Sequence, residues 1–287
     1  MVAAPMRGKS QRRRRRENVD MPAVSQGLVD FANGWRQPPA PGFEIIETPR
    51  YRIVLQPDLP IPGPNSASWV RCRAEEADEV IDEVTALFRD RDLPLMWVLD
   101  PETEPANFAE LLAARGVRPD PQAPESAVMV LPIDVDFDAP PVEGMELHDG
   151  LADLAAFRRV DAVNAEAFGG RTPRDDGGYI AQLERRRENQ IAAGNRRLVL
   201  ATIDREPAGS SGLSLYAPEG AIINGGGVRV KFRGRGIYRA MVAARLEMAR
   251  EAGVAGLSVW GGPMSAPILA RLGFEKVGWR RFYREAD

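Results

Sequence analysis

The segment that most constrains this chain joins a predicted strand to a predicted helix through a glycine-rich loop. The strand-like run AIINGGGVRV covers residues 221–230, and FRGRG follows it at residues 232–236. Apolar residues then recur at helical spacing from Ile237 to Met248, and Gly253 stands where a helix often ends. The backbone N–H groups of a glycine loop that opens a helix converge on one point, which the helix dipole makes positive. The segment therefore predicts an anion-binding unit, with a nucleic-acid patch and a plain helix-starting turn as alternatives.

The spacing of the glycines excludes two common phosphate-binding motifs. The dinucleotide pattern G-x-G-x-x-G would require glycine at residue 239, which is Arg239. The P-loop pattern GxxxxGK[ST] does not occur in the chain. Arg233 and Arg235 add positive charge to the loop, so a cradle for an anion of another kind is expected.

The counts of cysteine and histidine exclude several classes of site. The 287 residues include one cysteine, Cys72, and one histidine, His148. A disulfide framework and a zinc site built from cysteine and histidine both need more of these residues. We therefore expect no metal, and a chemistry based on backbone groups, carboxylates, tyrosines and arginines. Cys72 is expected to be a buried strand thiol within the run SWVRC.

The N-terminus carries a basic run in a chain that is acidic overall. The formal net charge is −3, whereas RGKSQRRRRR at residues 7–16 is mostly arginine and lysine. The apolar segment that a secretion signal requires does not follow it, and no run approaches the roughly 18 apolar residues of a membrane span. We therefore expect a cytoplasmic protein with a disordered, solvated tail. Nucleic-acid binding through Arg12 to Arg16 is the alternative for this segment.

Composition and periodicity divide the chain into four regions. Residues 1–45 form a tail and lead-in, residues 46–135 alternate strands with helices, residues 136–143 form an acidic linker with prolines, and residues 144–287 contain the glycine loop. In the second region, ADEVIDEVTALFRD has a helical apolar face. Each half has a helix that ends in glycine after a tryptophan-bearing strand, FAELLAARG and SAPILARLG. The common order of elements favours duplication over chance similarity.

The loop resembles the acyl-CoA-binding motif [QR]-x-x-G-x-[GA] of the GNAT superfamily of N-acetyltransferases. Arg233, Gly236 and Tyr238 stand at its three defined positions, and Tyr238 departs from the usual Gly or Ala. The order of predicted elements over residues 144–287 is similar to that of GNAT domains, and RLGFEKVGW resembles their closing motif. The resemblance implies an α/β fold with a mixed central sheet flanked by helices. In it, a degenerate GNAT-like half precedes a complete GNAT unit.

The resemblance also implies a cosubstrate, acetyl-CoA, and a place for it. In GNAT domains the fourth and fifth strands separate, and the pantetheine arm lies in the gap with the pyrophosphate on the glycine loop. Gly225 to Gly227 suit a strand whose backbone is approached closely, and a β-bulge is the alternative. One site is expected, because RAEEADEV in the N-terminal half has acidic residues and no glycine. The implied contact residues are Gly227, Val228, Val230, Arg233, Gly234, Arg235, Gly236, Ile237 and Tyr238.

The reaction implied by the resemblance is direct attack of an amine on acetyl-CoA in a ternary complex. A base must then accept the proton of the amine, since a free alkyl amine has a pKa of about 10.4. Glu166 is our choice, with Asp175 and Asp176 as the other candidates. The acceptor, a small molecule or a protein, is expected against the loop FGGRTPRDDGG.

The acid of the reaction is harder to assign. Many GNAT enzymes carry a tyrosine four residues before the closing glycine, where this chain has Leu269. The nearest substitutes by sequence are Tyr283, our choice, and Tyr238. The missing tyrosine favours an alternative function, a non-catalytic acyl-CoA-binding sensor or interaction module of GNAT fold.

Overall fold

The computed structural model describes residues 23–168 and 173–285, and the following elements belong to those ranges. The helices are α1 (Gln26–Gly34), α2 (Ala77–Asp90), α3 (Phe108–Ala114), α4 (Leu154–Phe168), α5 (Gly177–Ala192), α6 (Ile237–Glu251) and α7 (Ala266–Arg271). The strands are β1 (Glu44–Glu47), β2 (Arg52–Leu55), β3 (Ser66–Ser68), β4 (Met96–Leu99), β5 (Val117–Pro119), β6 (Glu125–Pro132), β7 (Met145–Asp149), β8 (Arg196–Ile203), β9 (Glu206–Tyr216), β10 (Gly220–Val228), β11 (Gly256–Gly261) and β12 (Glu275–Glu285). None of the described helices is long and apolar enough to cross a membrane.

All of these strands belong to one mixed sheet. Its order is β1-β2-β3-β4-β12-β6-β11-β10-β9-β8-β7, and β5 pairs with β12 beside this path. The pairs β3–β4 and β10–β11 are parallel, and the other pairs are antiparallel. The predicted α/β fold with a mixed central sheet is therefore confirmed.

The two halves of the chain exchange strands in the middle of this sheet. β6, which precedes residue 136, lies between β11 and β12, with Leu131 opposite Leu257 and Met129 opposite Lys276. The end of β12 pairs in turn with β4, where Phe282 lies opposite Val98. The last strand before the predicted linker thus completes the sheet of the second half, and the last strand of the chain completes that of the first. The domain bounds 46–135, 136–143 and 144–287 stay a prediction.

The helices cover both faces of the sheet. On β8, Val199 and Ala201 pack with the start of α6, whereas Leu198 and Leu200 contact α4 and α5. Alternate residues of a strand point to opposite faces, so α6 lies on one face and α4 and α5 lie on the other. On β6, Val130 packs against α1, whereas Met129 and Leu131 pack in the same core as α6. Helix α1 therefore lies on the face of the sheet opposite to α6.

Two local expectations differ from the structure. The run SWVRC was expected to be a strand, but β3 ends at Ser68 because Trp69 has a left-handed backbone with φ 55°. Cys72 is buried as expected, but it lies outside a strand. Helix α1 lies within the expected lead-in, and its Leu28 is buried against β6. Residues 1–22, including the Arg12 to Arg16 run, lie outside the described residues.

Candidate functional site

Strands β10 and β11 separate along their length. They pair only at Ala221 with Leu257 and at Ile222 with Ser258. Beyond this point β10 stays paired with β9 as far as Val228, while β11 stays paired with β6. A gap therefore opens between the two parallel strands, with its closed end at Ile222.

A β-bulge shapes the β10 side of the gap. The register with β9 shifts between Asn224 and Gly227, and Gly225 adopts a left-handed backbone with φ 55°. A Cβ atom on Gly227 would lie 2.7 Å from the Cβ of Ala167 in α4, so this position admits only glycine without movement of the helix. The β-bulge is therefore present, and the element that lies close to the backbone of Gly227 is α4.

The glycine loop begins where β10 ends. A 3-10 turn at Val230–Phe232 buries Phe232, and the exposed residues 233–236 then lead into α6. Gly234 and Gly236 have positive φ values of 79° and 86°, and Gly236 is the N-cap of α6 without a capping side chain. Within the described part of the chain, the N–H groups of residues 234–239 have no hydrogen-bond acceptor. The loop therefore presents unpaired donors at the positive end of a helix dipole, beside the mouth of the gap.

Arg233 and Arg235 supply the positive charge that the sequence indicated. Both side chains are exposed, and the Arg233 Nε donates to the carbonyl oxygen of Val228 at 3.2 Å. The Arg235 guanidinium stands 5.8 Å from the ring centroid of Phe232. The site can accordingly attract an anion with two arginines and hold it with backbone donors.

Glu166, at the end of α4, lies against the same loop. Its carboxylate accepts hydrogen bonds from the Arg229 Nε at 2.6 Å and from the backbone N–H of Val230 at 3.1 Å. The hydrogen bond from Arg229 is the main reason that the pKa of Glu166 is lowered from its ordinary value. The structure thus brings Glu166 to the predicted cofactor residues, but as an ion-paired carboxylate whose affinity for a proton is reduced. The N–H of Val230 already donates to Glu166, so it is not free to bind a ligand.

Tyr283 lies elsewhere in the sheet. It pairs with Trp97 on β4 and packs against the core of the N-terminal half. Strands β6 and β11 separate β12 from β10, and three strand spacings of about 4.8 Å amount to about 14 Å. The structure does not bring Tyr283 to the glycine loop, because the exchanged strand β6 lies between them.

Other predicted positions have structural partners. Leu269 is fully buried among the side chains of α6 and α7, so α7 offers no acid at that position. Asp175 pairs with Arg158, and Asp176 caps α5 by accepting from the N–H of Tyr179 at 2.9 Å. Residues 169–172 of the expected acceptor loop lie outside the described residues.

A cavity of about 420 Å³ lies beside α4 and α5. Its lining includes Arg158, Asp161 and Arg174, so it carries both signs of charge. Arg229, which holds Glu166, also lines it, so the cavity adjoins the glycine loop. No cluster of His, Cys, Asp and Glu among the described residues is suited to a metal ion.

Solved structures with the same architecture are known. The GCN5-related N-acetyltransferase from Kribbella flavida has a TM-score of 0.62 at 16% identity, covering 91% of this chain and 92% of its own. A tandem GNAT protein from the clavulanic acid biosynthesis pathway has a TM-score of 0.57 at 18% identity, covering 90% and 88%. A GCN5-related N-acetyltransferase from Sphaerobacter thermophilus has a TM-score of 0.56 at 19% identity, covering 82% and 80%. No family model and no curated protein matches the sequence.

The chain therefore has the fold of GCN5-related N-acetyltransferases, the GNAT fold. More particularly, it is similar over most of its length to a tandem GNAT protein. The resemblance seen in the glycine loop is confirmed at the level of the fold. Sequence identities below 20% establish the fold and leave the activity to be argued from the site.

Proposed function

We propose that the protein transfers an acetyl group from acetyl-CoA to an amine acceptor by direct attack in a ternary complex. The observation that carries the proposal is the open glycine loop at the start of α6, beside the gap between β10 and β11. The GCN5-related N-acetyltransferases with the same fold support it.

The residues of the loop suit the pyrophosphate of coenzyme A. The unpaired N–H groups of residues 234–239 face an anion at the helix N-terminus, and Arg233 and Arg235 neutralise its charge. Gly227 and Val228 lie on β10 beside the gap, and we assign to them the backbone contacts with an extended amide-bearing arm. Val230 takes part through its position only, because Glu166 already accepts its N–H.

The thioester supplies an activated acyl group, and the chain's own residues orient and activate the partners. The acceptor amine must lose a proton, and Glu166 is a carboxylate that the structure places beside the loop, where it accepts from the N–H of Val230. The lowered pKa of Glu166 makes it a weak base. We therefore assign Glu166 the role of positioning Arg229 and the loop, and the proton of the amine leaves through solvent. The cavity beside α4 is our proposed approach for the acceptor, a small molecule or a protein segment.

A non-catalytic acyl-CoA-binding sensor is the second candidate function. The observation that favours it is the absence of an acid from α7, where the buried Leu269 occupies the usual tyrosine position. Nucleic-acid binding through the Arg12 to Arg16 tail is a third, and it concerns residues outside the described ranges.

Isothermal titration with coenzyme A and with acetyl-CoA tests the first two candidates together. Binding of both, with release of free thiol in the presence of some member of an amine panel, is the expected result. Binding without thiol release across a broad panel would favour the sensor, and the absence of binding would remove both. Nucleic-acid retention with and without residues 1–20, measured over a range of salt, decides the third.

A further inference from the structure

Arg245 on α6 is buried without a counter-ion. Its side chain is 1% exposed, its Nε donates to the carbonyl oxygen of Met241 at 3.0 Å, and its Nη1 donates to that of Gly212 at 3.4 Å. Its Nη2 makes no hydrogen bond to any described residue. A buried guanidinium is costly unless an anion or a full set of acceptors compensates it. Among the described residues Arg245 therefore has two backbone acceptors and the neighbouring side chain of Tyr238, but no anion.

Tyr238 shares the face of α6 with Arg245. The two residues are seven apart, which is about two helical turns, so both side chains face the sheet. A Cβ atom on Gly226 would lie 3.1 Å from the Cε2 of Tyr238 and 3.8 Å from the Nη2 of Arg245. The phenol ring and the guanidinium therefore meet directly beneath the bulge of β10.

The position of Arg245 along α6 excludes a role on the pyrophosphate. Seven residues at about 1.5 Å each place it about 10 Å beyond Tyr238 along the helix axis. An arm that starts at the glycine loop and enters the gap runs back along β10, and the gap closes at Ile222. Its far end must then lie between Ile222 and Val228, at the level of the bulge. The side chains of Tyr238 and Arg245 reach this level from different turns of α6, because both come close to Gly226 in the bulge.

We propose that the Tyr238 hydroxyl, held beside the buried guanidinium of Arg245, donates a hydrogen bond to the sulfur of the departing coenzyme A thiolate. This inference rests on the proposed acyl transfer. The amine nitrogen forms a bond to the acyl carbon, the carbon–sulfur bond breaks, and its electron pair goes to sulfur. The amine proton goes to solvent, and the thiolate later takes a proton from solvent, so Tyr238 keeps its own proton throughout.

The electrostatics of the pair agree with a donor that stays protonated. Burial raises the pKa of Tyr238 above its ordinary value of 10, and Arg245 opposes this to a smaller extent. Arg245 is the one titratable group that acts on the pKa of Tyr238 from α6, β9 or β10 in the described ranges. Burial lowers the pKa of Arg245 to about 10, so the guanidinium is charged at neutral pH. A coenzyme A thiol has an ordinary pKa of about 8.5, so it is a stronger acid than the Tyr238 hydroxyl.

The other tyrosines are held elsewhere. Tyr51 is buried in the N-terminal core, the Tyr179 hydroxyl donates to Asp161, Tyr216 pairs with Gly220 at the far end of β10, and Tyr283 lies on β12. Tyr238 alone combines a place on the cofactor helix with contact to the bulge. The proposed hydrogen bond to sulfur gives a role to Tyr238 at a motif position where Gly or Ala is usual.

The pKa of the thiol in bound coenzyme A tests the proposal without requiring turnover. The absorbance of the thiolate is measured over pH 6–10, roughly two units either side of the ordinary pKa. The absorbance of the desulfo-coenzyme A complex is subtracted at each pH, which removes the contributions of the tyrosines and of Cys72. We expect a pKa of about 7.5 or below in the wild type. In Tyr238→Phe it should return to about 8.5, and in Arg245→Met it should rise by a comparable amount, with partial restoration in Arg245→Lys.

Steady-state kinetics supply the second readout. Tyr238→Phe should lower kcat by about 100-fold while the dissociation constant of coenzyme A changes less than about 3-fold, as for loss of one donor to a developing charge. Tyr238→Ala introduces a residue that is usual in the motif. It distinguishes a tyrosine that donates a hydrogen bond from one that only narrows the cofactor groove. A gain in kcat in Tyr238→Ala, or a wild-type thiol pKa that Tyr238→Phe leaves unchanged, would overturn the inference. Failure of coenzyme A to bind at all would overturn the proposed function as well.

Discussion

The starts of helices α2 and α6 are equivalent places in the two halves, and they differ in what occupies them. Each helix follows a strand that pairs in parallel with the next strand, β3 with β4 and β10 with β11. Before α2, the carboxylate of Glu76 accepts from the backbone N–H of Arg73 at 3.0 Å and from its Nη2 at 3.0 Å. Before α6, the first turn carries no acidic residue and the N-cap is a glycine.

The difference teaches why only one half is expected to bind an anionic cosubstrate. Before α2 a carboxylate of the chain itself accepts the backbone N–H of Arg73, and the hydrogen bond from the Arg73 side chain lowers the pKa of Glu76 to about 2. At α6 the backbone donors of residues 234–239 have no acceptor among the described residues. The same strand–turn–helix geometry thus serves as a closed cap in one half and as an open cradle in the other.

The largest expected effect comes from closing the open cradle. Gly236→Asp places a carboxylate where the pyrophosphate is proposed to lie, and we expect coenzyme A to bind at least about 100-fold more weakly by titration calorimetry. Gly253→Asp is the matched control, because Gly253 has a similar positive φ of 69° at the other end of α6. Equal loss in both variants would show that backbone strain, and not the cradle, was responsible.

The next effect concerns the charge that distinguishes the two helix starts. Arg233→Met and Arg235→Met should each weaken coenzyme A binding about 3- to 10-fold, since both side chains are exposed and screened by salt. The salt dependence of the affinity should fall along with it. Arg73→Met, the equivalent change before α2, should leave the dissociation constant unaltered, and a comparable loss there would contradict the single-site assignment.

A smaller effect is expected at Glu166, which Arg229 holds much as Arg73 holds Glu76. Loss of an essential base costs about 100-fold or more in kcat, whereas Glu166→Gln should cost less than about 10-fold because the lowered pKa already makes it a weak base. Glu206→Gln, which removes the other carboxylate on Arg229, is the control. A loss beyond 100-fold, confined to Glu166→Gln, would restore Glu166 as the base.

The smallest effect concerns the stability contributed by the closed cap. A lowered pKa in the folded state means that Glu76 stabilises the fold above the unfolded pKa of about 4.5 and loses this effect as the pH falls to about 2. Glu76→Gln should lower Tm at pH 7 by no more than about 3 °C, and less at pH 2.5. Glu75→Gln, on the same turn, is the control. A Tm difference that persists undiminished at pH 2.5 would exclude the charge as its cause.

Much of this architecture could be read from local sequence. The run ADEVIDEVTALFRD has the bounds of α2, and RRLVLATI has those of β8, because helical and alternating apolar spacing report directly on which side chains are buried. The glycine loop was visible for a different reason. Positive φ at Gly234 and Gly236 is a local demand that few other residues meet.

Some features of the structure were not predicted because the local sequence carries no strong signal for them. Helix α1 is short, and only its Ser25 cap, accepting from the N–H of Leu28, together with Leu28 and Ala32 on one face, could have revealed it. Arg245 looks like a surface charge, although it falls four residues after Met241 on the apolar face of α6. The ion pair of Glu166 with Arg229 joins residues more than sixty positions apart, and no pattern in the sequence announces it.

The position of Tyr283 marks the boundary between the two kinds of information. Periodicity and glycine placement depend on neighbours along the chain, and they were enough to predict most strands, most helices and the glycine loop before α6. Which strand lies beside which depends on pairing between distant segments, and the exchange of β6 and β12 moved Tyr283 away from the cradle. Long-range packing also buried Arg245 beside Tyr238, because the face of α6 that meets the sheet is set by the whole core and not by α6 alone.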